Sequence, residues 1–112
     1  MDRLDQLFAR SQREIEAHAS ELADTETGRY FITEAAQLLA ALRLWAQIQY
    51  RSDQAVREIL ETVHLVMLSK VAAELHAVGG RDGRTASGTI LGMLRLPPEQ
   101  VMAIASCALR AL

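Results

Sequence analysis

Apolar positions recur at steps of three and four along most of the chain, the period of helices that pack by one face. Leu4, Leu7, Phe8, Ser11, Ile15, His18, Ala19 and Leu22 keep this spacing in the first segment. Their alternation is that of a short coiled-coil seam diluted by Ser11 and His18. Arg10, Arg13, Glu14, Glu16 and Glu21 form the polar face. The pattern predicts a helix from Asp2 to about Ala23, then a turn or capping segment, Asp24-Thr25-Glu26-Thr27-Gly28.

No glycine or proline falls between Gly28 and Gly79, and the interval is rich in good helix formers. One continuous helix there would be a rod of about 75 Å at about 1.5 Å per residue. A chain this small cannot support such a rod, so two long helices folding back on each other are expected. The first runs from about Arg29 to Tyr50. Phe31, Ile32, Ala35, Leu38, Leu39, Leu42, Trp45 and Ile48 fill most of its circumference, leaving Glu34, Gln37, Arg43, Gln47 and Arg51 as a polar stripe. Ser52-Asp53 is the expected break, a good N-cap followed by an acidic first turn. The next helix runs to Val78 with two apolar stripes, one of Val56, Leu60, Val63, Met67, Val71 and Val78, the other of Leu65, Leu68, Ala72 and Leu75. Gly79-Gly80 ends it, and Arg81-Asp82-Gly83-Arg84 reads as a polar loop. Two short helices close the chain, Thr85 to about Leu94 and Pro98 to Leu112, with Pro98 suited to a first turn.

The expected fold is therefore all-α, a single helical domain over residues 1–112. It is a small bundle of about five helices: two long central ones, an N-terminal helix packed on them, and a short helix–turn–helix-like C-terminal lobe. Half of the residues are hydrophobic, enough for a packed core. Only two Phe, two Tyr and one Trp are present, so aliphatic side chains must build that core.

The formal charge of −2 gives no polycation that would seek nucleic acid or acidic lipid. Cys107 is the single cysteine, which excludes an internal disulfide and suits a reducing cytoplasm. The opening Met1-Asp2-Arg3-Leu4-Asp5 lacks the apolar stretch of a signal peptide, and no apolar run approaches a membrane span. A cytoplasmic location without a membrane partner is expected.

Catalytic and metal chemistry finds no convergent set. His18, His64 and His76 are not spaced by the three or four residues that put two ligands on adjacent turns. Cys107 sits in an Ala-rich helix and reads as an inert core residue. Glu58 and Glu61 lie beside Arg57 and read as a wet face. Gly79-Gly80-Arg81-Asp82-Gly83-Arg84 has no following Lys-Ser/Thr and no preceding strand, so it is no phosphate cradle. No cofactor, metal or enzymatic activity is expected.

The surplus of apolar helical surface points instead to contact with other proteins. Tyr30, Phe31, Trp45 and Tyr50 are the candidate partner-binding residues, because aromatic side chains dominate interface hot spots. Leu65, Leu68, Ala72 and Leu75 are the candidate seam of a homodimer.

The segment Gly92-Met93-Leu94-Arg95-Leu96-Pro97-Pro98-Glu99-Gln100-Val101, continued to Ala108-Leu109-Arg110-Ala111-Leu112, resembles the C-terminal DNA-reading helices of sigma factors and LuxR-type regulators. That resemblance makes Arg95, Gln100 and Arg110 the DNA-binding residues of an alternative reading. The segment lacks the clustered basic patch that phosphate contact needs, so nucleic acid is not the expected partner. Leu65-Val66-Met67-Leu68-Ser69-Lys70, a Gly-rich joint and Ile90-Leu91-Gly92-Met93-Leu94-Arg95-Leu96-Pro97 resemble, in order and apolar pattern, the FlhD family of flagellar transcription co-activators. In size, charge and helix content the chain is similar to small quorum-sensing antiactivators of the QslA type, which bind a LuxR-type activator. These resemblances imply a small bacterial regulator, dimeric, that binds a transcription factor and inhibits or co-activates it.

Overall fold

The computed structural model describes residues 2–63 and 65–112; Met1 and His64, with the His64 of the candidate metal set, lie outside the described residues. Local capping chemistry sets the helix starts. The Asp2 carboxylate accepts a hydrogen bond from the Asp5 amide at 2.9 Å and opens α1, Arg3–His18. Thr25 Oγ1 accepts from the Gly28 amide at 2.9 Å and opens α2, Glu26–Ile48. Ser52 opens α3, Asp53–Thr62, by accepting from the Gln54 amide. α4 is Leu65–Val78, α5 is Gly80–Met93, and α6 is Pro98–Leu109, with proline at the start where a missing N–H costs nothing. A 3-10 turn, Ser20–Asp24, links α1 to α2. The fold is all-α, with no strand among the described residues.

α2 is the axis of the molecule. Its 23 residues run roughly 34 Å at about 1.5 Å per residue, close to the 38 Å longest dimension of the protein. Each of the other five α-helices packs against it. Every residue from Leu38 to Ala46 is buried, which is why apolar side chains surround this helix on all sides.

Three features depart from the sequence pattern. First, only one long helix exists. The expected second one stops at Thr62, Val63 adopts left-handed backbone angles (φ 44°, ψ 49°), and α4 begins afresh at Leu65. A β-branched residue in that region is strained by roughly 1–2 kcal/mol, and no residue pattern announces it. Among the described residues the bundle consequently has six α-helices.

Second, Arg81–Arg84 is the first turn of α5 and not a loop. Gly80 turns the corner with φ 63°. α5 then lies against the end of α4 so closely that a Cβ on Gly83 would sit 2.2 Å from the Leu75 carbonyl oxygen. Gly79 and Gly83 of this segment serve close helix packing. Third, α5 packs on α4 and α2 while α6 packs on α2 and α3, with little contact between α5 and α6. They do not form a separate helix–turn–helix lobe, because each buries its apolar face on the central helix.

The break at Val63 changes what α4 can hide. Leu68, Val71, Ala72 and Leu75 are all buried, so both apolar stripes of this segment serve the protomer's own core. The accessible surface of 6242 Å² is close to the ~6,100 Å² that size alone gives a compact monomer. Most of the apparent apolar surplus is thus absorbed internally.

Arg43, placed by the sequence pattern on the polar stripe of α2, is 4% exposed. Its Nη1 donates to Ser11 Oγ (3.1 Å) and Glu14 Oε1 (3.2 Å), and its Nη2 to Glu14 Oε2 (3.0 Å). Asp53 lies 3.6 Å away on α3. Ser11, which interrupts the apolar seam of α1, is the socket for this guanidinium. Burial pushes the Glu14 carboxyl up, but the hydrogen bonds and charge of Arg43, then of Arg10, outweigh it and hold it below its ordinary 4.5. A depressed carboxylate adds stability above its unfolded value that is lost as pH falls through the folded one. Stability should therefore drop below pH 4.5, the ordinary Glu14 value. Glu14→Gln should destabilise by about 2–3 kcal/mol at neutral pH, since it strips charge compensation from a buried cation, and should flatten the acid limb. Urea titrations at several pH values check both; an unaltered acid limb would contradict the clamp.

Candidate interaction groove

Two joints shape the surface near the C-terminal end of α2. Tyr50 ends α2 in a left-handed conformation (φ 55°) and is 98% exposed. Beyond it α3 packs on α2 and ends at Thr62, and α4 begins afresh at Leu65. α3 and α4 pack little on each other, and the gap between them is an open groove of about 380 Å³.

Its floor includes the Trp45 ring of α2. Ala55, Glu58, Ile59 and Thr62 form the α3 wall, Val66, Met67 and Lys70 the α4 wall, and Arg51 closes the lining. Trp45 is 3% exposed, and its Nε1 donates to Glu74 Oε2 of α4 at 2.7 Å, which fixes the ring across the gap. Beside the groove Leu65 is 50% and Val66 73% exposed. The other exposed large apolar side chains stand elsewhere: Tyr30 near the opposite end of α2, Val78 at the far end of α4, Leu91 on α5 and Met102 on α6. Here exposed apolar residues adjoin a concave apolar surface, the usual mark of a binding site. Arg51 and Lys70 form no ion pair among the described residues.

No family model, no curated relative and no solved structure matches the chain.

The four candidate partner-binding residues divide between the two ends of α2. Trp45 lies in the groove and Tyr50 precedes its lining residue Arg51. Tyr30 and Phe31 lie about 20 Å away along the helix at about 1.5 Å per residue. Their rings meet edge to face at 5.4 Å, and the Tyr30 hydroxyl accepts a hydrogen bond from Gln100 Nε2 at 2.7 Å. Phe31 lines a smaller cavity with Leu22, Ala103 and Cys107. This end of α2 is engaged with α6.

Of the candidate dimer seam, Leu68, Ala72 and Leu75 point into the core, and Leu65 alone is exposed. A second copy could meet Leu65 and the neighbouring Val66 without unfolding α4, but not the other three. The physical reason is the break at Val63, which tucks the stripe inward.

The alternative DNA-binding residues are mostly committed elsewhere. Arg110 is bonded to Glu21, whose carboxyl it holds below the ordinary range, and Gln100 is bonded to Tyr30. Arg95 is exposed without an ion pair among the described residues. The outer face of α6 presents Glu99, Met102, Ala103 and Ser106, which offers phosphates nothing. Cys107 is buried, and burial pushes its thiol up, away from the reactive thiolate. Among the described residues no group of three or more His, Cys, Asp or Glu side chains could hold a metal, and no helix is long and apolar enough to cross a membrane.

The groove contains residues that sequence periodicity did not single out for binding: Ala55, Ile59, Thr62, Val66 and Lys70. Ala55, Ile59 and Val66 carried a usable signal, as apolar residues outside both stripes of their segment.

Proposed function

We propose that this chain is a small regulatory protein that works by protein–protein contact, with a transcription factor as its target. What supports the reading is the α3–α4 groove: an apolar trough with an indole in its floor, rimmed by exposed Leu65 and Val66 and by charged side chains. Such a trough suits one amphipathic helix of a partner, held by apolar anchors one turn apart. The partner class comes from the resemblance to antiactivators of LuxR-type quorum-sensing regulators. If the docked helix is one that the regulator needs for its own dimerisation, occupancy inhibits it. If the helix is peripheral, the outcome is co-activation of the FlhD kind.

Direct DNA binding through Arg95, Gln100 and Arg110 has weaker support, because two of the three are bonded within the protein. An electrophoretic shift with the pure protein at two salt concentrations separates the readings. No salt-sensitive shift is expected; a shift that weakens steeply with salt would favour the DNA reading. Affinity capture from the cell of origin, with identification of what co-elutes, is expected to return a transcription regulator as the main partner.

A further inference from the structure

The same groove has a feature that a purely apolar docking site does not need. Counted from the Val63 joint outwards, the lining on each side ends on a cation. On α4 the order is Val66, Met67, Lys70; on the α3 side it is Thr62, Ile59, Glu58, Ala55, Arg51. The two cations therefore stand toward the open end, one on each wall, and both lack ion-pair partners among the described residues. The single wall carboxylate, Glu58, accepts from Gln54 Nε2 at 3.5 Å on its own helix. Aliphatic side chains and a flexible methionine shape the inner part, over the indole of Trp45. The volume of about 380 Å³ lies within the roughly 300–1,000 Å³ of small-ligand sites, mostly apolar with a few polar groups to fix orientation.

We propose that the groove binds a linear amphipathic carboxylate, its aliphatic tail toward the Val63 joint over Trp45 and its head between Arg51 and Lys70. Such a ligand would occupy the trough proposed for a partner helix, so the two would compete. The binding itself needs no partner and can be measured on the pure protein, which keeps its failure distinct from failure of the protein-contact reading.

Trp45 is the only tryptophan of the chain and lies in the groove, so its emission reports occupancy directly. The probe is sodium decanoate below its micelle concentration, with 1-decanol and decyltrimethylammonium as head-group controls. A saturable change in Trp45 emission with decanoate is expected, weaker with decanol and absent with the cation. Arg51→Gln combined with Lys70→Gln should weaken decanoate binding by about fivefold to tenfold, on the scale of two exposed charge contacts, and leave decanol unaffected. Val66→Asp should abolish the decanoate response. All three positions are exposed, so circular dichroism should show unchanged helicity in these variants. No saturable response, equal binding of the three probes, or a double variant that binds decanoate as wild type does would each overturn the proposal.

Discussion

Gly83→Ala should lower stability by about 2–3 kcal/mol, whereas Gly88→Ala in the same helix should raise it by about 0.5–1 kcal/mol. Helix propensity alone favours alanine at both positions. The surroundings decide the sign. A Cβ on Gly83 would lie 2.2 Å from the Leu75 carbonyl oxygen, and that atom belongs to the backbone of α4 and cannot rotate aside. α5 would have to move off α4, opening the contact that buries Ala86 and Ile90 against Leu75 and its neighbours. A Cβ on Gly88 meets nothing within 4 Å, so there only the gain from a stiffer unfolded chain remains. Gly83→Val should go further and cost the α4–α5 hairpin its folded form. Thermal and urea unfolding followed by circular dichroism read all three variants. Stabilisation by alanine at both sites would show that α4 and α5 do not approach this closely.

Trp45→Ala is the second large effect, about 3–5 kcal/mol, as for other buried aromatic residues cut back to alanine. The ring is 3% exposed and packs between α3 and α4, so its loss leaves a void joined to the groove. Trp45→Phe isolates the polar part. It keeps most of the packing but removes the indole N–H that Glu74 accepts, and about 1–2 kcal/mol should be lost. Both are measured by urea unfolding monitored in the far ultraviolet. A fully stable Trp45→Ala protein would mean that the ring contributes only to an interface.

The axis of this fold could be read directly from residues. α2 shows apolar side chains on nearly every side, and a helix with that pattern has to be buried. The caps Asp2, Thr25 and Ser52 sit where short polar residues precede apolar periodicity. What could not be read were two joints where local rules conflict with tertiary packing. Val63 is a poor choice for a left-handed position, so the pattern runs through it, and one helix was expected where α3 and α4 lie. Gly79-Gly80 looked like a stop followed by a loop, but small residues also permit close helix approach, and sequence alone does not tell those uses apart. Arg43 was hidden for a similar reason, because its burial depends on Ser11 and Glu14, about thirty residues away in sequence.

The groove depends on the same Val63 joint. Trp45 and Tyr50 were recognisable as candidate contacts from residue type. The walls beside them follow from the break at Val63, so Ile59, Val66 and Lys70 could not be joined to Trp45 before the chain direction was known. Conversely, Leu68, Ala72 and Leu75 looked available for self-association only on a continuous helix.

The most direct measurement is a paired capture in which wild type, Val66→Glu and Val78→Glu are each used as bait in extract from the cell of origin. Both sites are exposed apolar positions on α4, but only Val66 borders the groove. A transcription regulator retained by wild type and Val78→Glu, and lost from Val66→Glu, is the expected result. Equal retention by all three baits would contradict the claim that the trough between α3 and α4 is where this protein makes its contact.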